Sequence, residues 1–169
     1  MTAVAEWFAR TLGQYIAPEW VVFIISMIPI LELRGGLIAA SILEIPIVKA
    51  IPFCVVGNII PIPFILLFIK RILKWMKNIK GLRVIANWLE KKAEKKSDAL
   101  KKGEFWGLAL FVGIPLPGTG AWTGSLIAAL MDVKLSKAVG AILLGIVMAT
   151  IIMSILSYGL LDVIMGWFA

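Results

Sequence analysis

Glu32-Leu33-Arg34-Gly35-Gly36 and Pro115-Leu116-Pro117-Gly118-Thr119-Gly120 interrupt otherwise apolar sequence, each near the middle of a stretch long enough to cross a bilayer. Ionisable side chains and unwound backbone are costly in hydrocarbon. They persist only where protein or a water-filled cavity surrounds them. Two matched breaks therefore predict a transport site near the membrane midplane.

The surrounding composition fixes the solvent. The chain is 61% hydrophobic with a mean hydropathy of +0.99, has no histidine, and has only 16% charged residues. That is far too apolar for a soluble domain, so the expected class is an all-α integral membrane protein. Its 169 residues supply one membrane domain, and a homo-oligomer is an open option. Cys54 is the single cysteine, which excludes an internal disulfide and a Cys/His metal site. No nucleophile–base pair, metal-ligand cluster or cofactor motif has recognisable spacing, so neither an enzyme nor a cofactor protein is expected.

Residues 1–17 read as a short interfacial helix. Val4, Phe8, Leu12 and Tyr15 share one face while Glu6, Arg10 and Gln14 share another, and the helix should end before Pro18. Glu6 and Arg10 also break any apolar core of a cleaved targeting peptide. From Trp20 to Leu43 the only interruptions are Ser26, Glu32 and Arg34. Half-helices at 20–31 and 36–44 are each too short to cross a core about 30 Å thick at about 1.5 Å per residue, which predicts a re-entrant hairpin. Ala50–Ile69 contains Pro52, Gly57, Asn58, Pro61 and Pro63 and reads as a broken transmembrane helix with Asn58 near mid-depth. The first unit thus spans 18–69.

Residues 70–103 carry most of the positive charge, from Lys70, Arg71 and Lys74 through Lys101 and Lys102, against only Glu90, Glu94 and Asp98. The positive-inside rule makes this a cytoplasmic loop of a multi-pass cell-membrane protein. Ile72, Trp75, Met76, Ile79, Leu82, Ala86 and Leu89 recur at helical spacing, so part of it should lie along an anionic membrane surface. The lipid bilayer accounts for the basic and aromatic residues, and nucleic acid is not an expected partner. Residues 104–169 form the second unit. Phe105–Met131 is cut at 115–120 into another hairpin, and Ala138–Leu161 is the cleanest transmembrane helix, with Gly140 and Gly145 placed for close helix approach.

The halves repeat one another in outline. Ile28-Pro29, Leu37-Ile38-Ala39-Ala40, Glu44, Lys49-Ala50 and Gly57 correspond in order to Ile114-Pro115, Leu126-Ile127-Ala128-Ala129, Asp132, Lys137-Ala138 and Gly145. An odd number of crossings between them would invert one unit relative to the other.

The Glu-Leu-Arg-Gly-Gly segment at 32–36, the Gly57-Asn58 pair and the Ile-Pro-Leu-Pro-Gly-Thr-Gly-Ala-Trp-Thr-Gly run at 114–124 resemble the signatures of the small multidrug export protein family. The layout is similar to that of DedA membrane proteins, although the second hairpin carries no arginine after its Pro-Gly. The resemblance implies a DedA/LeuT-like transporter fold with Glu32, Arg34, Asn58, Pro117, Gly118, Thr119 and Thr123 in the central cavity.

The chemistry of these residues leaves several uses open. Arg34 offers a planar fork suited to phosphate or carboxylate, and half-helix N-termini near Gly35 and Thr119 would favour the same anion. Glu32 is either the counter-ion of Arg34 or a proton carrier. Asn58, Thr119 and Thr123 donate either to substrate or to freed backbone carbonyls, and Trp122 either lines the path or packs. Gly118 and Gly120 should hold backbone geometry that a β-carbon disfavours. The substrate-binding set is therefore Glu32, Arg34, Gly35, Asn58, Pro117, Gly118, Thr119, Gly120 and Thr123. The function expected is a transporter or flippase for an amphiphilic or anionic, lipid-phosphate-like substrate, with proton coupling through Glu32 as an option. The alternatives are an exporter of cationic compounds and a membrane scaffold.

Overall fold

The computed structural model describes residues 16–97, 103–116 and 118–159. The interfacial helix expected at 1–17 lies almost wholly outside these residues, as do Pro117, 98–102 and everything after Gly159. The described residues are helical, with no strand among them. In chain order the helices are α1 (Pro18–Met27), α2 (Glu32–Ile42), α3 (Ile47–Ile59), α4 (Pro61–Lys77), α5 (Arg83–Ser97), α6 (Glu104–Gly113), α7 (Ala121–Leu130) and α8 (Leu135–Ser154), which runs on into a π-helical turn, Ile155–Gly159.

Two of the helical stretches, Ile47–Lys77 and Leu135–Gly159, are long and apolar enough to cross a membrane. The first is α3 and α4 joined through Ile60, which keeps helical dihedrals (φ −51°, ψ −45°). Pro61 brings no N–H to this joint, so a main-chain bond is lost there although the helical dihedrals continue. The helix persists to Lys77, so residues 70–77 of the expected basic loop belong to it. Lys74 and Lys77 fall in its last turn, where cations complement the helix dipole.

The first break falls earlier than the sequence suggests. Helix α1 ends at Met27 with Ile28 extended, and α2 starts at Glu32, so the unwound residues are 28–31 around Pro29. Gly35 and Gly36 lie inside α2, where their lack of a side chain lets helices touch. A Cβ on Gly36 would collide with Ser26 Oγ and would sit 2.9 Å from Cys54 Sγ.

Each unit has its own apolar core. Val21, Val22, Ile25, Leu33, Leu37, Ala50 and Cys54 form one; Leu108, Ala109, Val112, Ile127, Ala138 and Ile142 form the other. Ala149 and Met153 of α8 join the first core, and Ile62 of α4 joins the second, so each long helix reaches into the opposite unit.

The contacts that build the two cores correspond pair by pair. Gly57 of α3 lies against Phe23 O and Ser26 Cβ of α1; Gly145 of α8 lies against Ala109 O and Val112 Cβ of α6. Gly36 faces Ser26 and Val22, as Gly124 faces Val112 and Leu108. Both second helices end on a left-handed non-glycine residue, Glu44 and Asp132, each at φ 56°. The main-chain bonds there match too, Ile45 N donating to Ala40 O at 2.9 Å and Val133 N to Ala128 O at 3.0 Å. This is a Schellman-type stop before the long helix.

Gly145 is thus a packing glycine, whereas the nearest atom to a Cβ on Gly140 is Phe105 Cε2 at 3.4 Å, an ordinary contact. Gly145→Ala should therefore lower stability by about 1–3 kcal/mol through overpacking, while Gly140→Ala should be neutral or slightly stabilising. Thermal unfolding of the detergent-solubilised protein measures both. Equal effects would remove the distinction drawn from these contacts.

Candidate functional site

The second break frees main-chain groups that a continuous helix would pair internally. After Gly113 the chain extends at Ile114 (φ −78°, ψ 123°), turns through a bond from Thr119 N to Leu116 O (3.2 Å), and re-enters helix at Ala121. Gly118 at φ 74° and Gly120 at φ 136° make the turn, in the left-handed region expected of them. What remains is a cluster of carbonyls at the end of α6 and, across the turn, the N–H groups that open α7.

Both sets are satisfied by the first unit. Arg34 Nη1 donates to Leu116 O (2.7 Å) and Thr119 O (3.0 Å), and Nη2 donates to Ile114 O (3.0 Å), Val112 O (3.2 Å) and Thr119 Oγ1 (3.1 Å). Glu32 accepts from Ala121 N at Oε2 (3.0 Å) and from Trp122 N at Oε1 (3.1 Å). Residues two apart on a helix point in divergent directions, so one turn of α2 sends a carboxylate to the positive end of α7 and a guanidinium to the carbonyl end of α6. Each charge thus meets backbone dipoles of opposite sign.

Glu32 and Arg34 are only 4% and 6% exposed, yet they form no ion pair with each other, unlike the surface pairs Lys70–Asp132 and Lys77–Glu90. Glu32 opens α2 at φ 52°, a conformation costing a non-glycine residue about 1–2 kcal/mol, and its paired carboxylate bonds hold it there. Gly120 is what lets that carboxylate approach, since a Cβ there would overlap it.

The other expected site residues divide. Thr119 joins the clamp, its hydroxyl lying 3.0 Å from Ile114 O and 2.9 Å from Leu116 O. Gly35 packs on Leu31, whose Cβ would be 2.7 Å from an added Cβ. Asn58 is buried with its Oδ1 unpartnered, and Thr123 is half-buried. Pro117 is outside the described residues. The helix N-termini expected near Gly35 and Thr119 are at Glu32 and Ala121, and the N–H groups of the second face the Glu32 carboxylate.

Trp122 carries more than the sequence assigns to it. Besides its main-chain bond to Glu32, its indole Nε1 is buried without a hydrogen-bond partner. The ring borders an apolar groove of about 610 Å³ that also involves Met27, Ile60, Pro61, Phe64 and Phe68. This groove is the signal that periodicity could not show, because it is assembled from α1, α4 and α7 together.

The family described as "Putative small multi-drug export protein" matches residues 32–152, from the Glu32 clamp through most of α8. The chain belongs to this family. No curated protein and no solved structure matches it. Membership of a small multi-drug export family, together with two helical stretches able to span a bilayer, makes this a membrane protein of a transporter family rather than of an enzyme family.

In this protein the clamp sets a stability expectation. Arg34→Met should cost about 3–5 kcal/mol, because it leaves several buried carbonyls of the break without a donor. Arg34→Lys should recover only part of that loss, since one ammonium cannot span carbonyls on both sides of the turn. Unfolding midpoints in detergent measure this; a wild-type midpoint for Arg34→Met would mean that Arg34 does not hold the break.

Proposed function

We propose that this protein is a membrane exporter of amphiphilic small molecules, built as an inverted repeat of two re-entrant hairpins in a DedA-like layout. The observation that carries the reading is the apolar groove opening beside the buried clamp, at the joint of α3 and α4. A groove walled by aromatic and aliphatic side chains, next to a few fixed polar groups, suits a lipophilic body with one polar handle. The matching contacts of the two units support the repeat. Tyr158 Oη, at the end of the second long helix, donates to Ile45 O just before the first (2.9 Å). Lys70 of the first long helix pairs with Asp132 just before the second. The long helices therefore run in opposite directions, as an inverted pair requires. The basic segment 70–103 faces the cytoplasm in this reading.

The lipid-phosphate flippase reading ranks lower because the Arg34 fork is already engaged by carbonyls, which an anion would have to displace. Proton coupling retains a physical route. Protonating Glu32 would remove the charge that holds Ala121 N and Trp122 N, loosening the second break and making its release dependent on a proton.

Purified protein in liposomes tests this with a lipophilic dye, a cationic dye, a fluorescent phospholipid and a polyprenyl phosphate. Protein-dependent movement of a dye is expected, without movement of either lipid, and Met27→Trp, which fills the groove, should lose most of it at unchanged insertion. Movement of polyprenyl phosphate alone would replace the exporter reading with a flippase. Movement of nothing would favour a scaffold.

A further inference from the structure

We propose that one face of α4 holds a resident anionic phospholipid, its phosphate among Lys70, Lys74 and Lys77 and an acyl chain in the apolar cleft between α4 and α8. The three lysines stand at i, i+4 and i+7, so they share a face of the helix. With Leu73, Glu90 and Leu130 they line a cavity of about 260 Å³. Two of the charges are already balanced, Lys70 by Asp132 and Lys77 by Glu90. Lys74, between them, is exposed and has no carboxylate partner among the described residues. One uncompensated ammonium suits the single negative charge of a phosphate diester. Lys70 and Lys77 carry three donors each, so both can add a bond to that phosphate while keeping their carboxylates.

What lies below the lysines says which phosphate it is. The same face of α4 continues one and two turns back from Lys70 to Leu66 and Ile62, which line a cleft of about 200 Å³ with Leu135, Val139 and Leu143 of α8. The side chains lining this cleft are all apolar, and Leu135, Val139 and Leu143 are exposed. The Lys70–Asp132 pair stands where the two spaces meet, because Asp132 closely precedes α8 and Leu135 opens it. An inorganic anion would satisfy Lys74 and leave the cleft empty, whereas a lipid fills both. Depth agrees. Ile62 is the midpoint of the long helical stretch Ile47–Lys77. Lys70 and Lys74 lie about 12 and 18 Å further along it at about 1.5 Å per residue, bracketing the half-thickness of about 15 Å between mid-bilayer and interface. Trp75, exposed in the same turn as Lys74, sits at the level where aromatic anchors meet headgroups. A phosphatidylcholine would bring a trimethylammonium against the lysines, so the headgroup that fits is anionic rather than zwitterionic. The face is the opposite one from the Trp122 groove, and its occupant is independent of what is exported.

Native mass spectrometry of the full chain released from micelles tests this with phosphatidylglycerol, phosphatidylcholine of the same acyl chains, and inorganic phosphate. One phosphatidylglycerol should be retained per protein in preference to phosphatidylcholine, and inorganic phosphate should not displace it. Lys74→Gln should weaken that retention about fivefold, the size of one basic contact to anionic lipid, and Leu143→Trp, which fills the cleft, should weaken it too. Lys80→Gln removes an exposed lysine outside the cavity and should leave retention unchanged. All three substituted side chains are exposed, and their lipid-free melting temperatures should match the wild type. Equal retention of the two lipids would overturn the proposal, as would equal losses in Lys74→Gln and Lys80→Gln, which would mean diffuse charge rather than a site. Displacement by inorganic phosphate, or undiminished retention in Leu143→Trp, would remove the lipid from the furrow. Dye movement in liposomes bears on the exporter reading alone, so either account can fail without the other.

Discussion

Backbone that leaves a helix inside a packed interior must find hydrogen-bond partners from the protein itself, and the rest of this structure depends on how that demand is met at residues 114–120. Each N–H or C=O left unpaired where water is excluded costs several kcal/mol. Arg34 supplies donors to the carbonyl end of α6, and Glu32 supplies acceptors to the amide end of α7. Both come from one turn of α2. The first unit therefore cannot move away from the second without exposing the break, which couples the units more tightly than apolar packing would. Apolar packing is weakly directional in lipid, where tails compete equally well for the same surfaces.

The same logic explains the asymmetry between the units. In the correspondence set by Gly36 with Gly124 and Gly57 with Gly145, Glu32 and Arg34 stand opposite Gly120 and Trp122. One unit carries the charged clamp; the other carries the glycine that admits the carboxylate and the tryptophan that borders the groove. The first break, at 28–31, is shorter and uses bonds within itself, from Leu31 N and Glu32 N to Ile28 O (3.1 and 2.9 Å). It has no need of a guanidinium from elsewhere.

Much of this was legible in the sequence. Pro/Gly-rich interruption of an apolar run located the second break, the charged segment 32–36 placed the first a few residues late, and Glu44 and Asp132 fell in register because stop residues in a membrane chain stand out against their neighbours. Gly35-Gly36 misled because glycine serves two ends, turning the chain and letting helices touch, and composition does not distinguish them; here they do the second while Pro29 does the first. The partners of Arg34 were not legible. Carbonyls have no residue letter, so a guanidinium bound to backbone 78 to 85 positions away looks the same in sequence as one awaiting an anion. The groove was hidden for a related reason, since its walls come from three helices whose apolar faces are individually unremarked.

The central claim is that Arg34 serves the backbone of the second break. In bilayer-reconstituted protein with ¹⁵N-arginine side chains and ¹³C-carbonyl threonine, dipolar recoupling reports directly on the Arg34 Nη1 contact to Thr119 O, which is 3.0 Å in this structure. The account predicts strong dephasing of the Thr119 carbonyl signal by the guanidinium, abolished in Arg34→Met. Absence of that dephasing in a folded sample, with the guanidinium coupled to the Glu32 carboxylate instead, would contradict it.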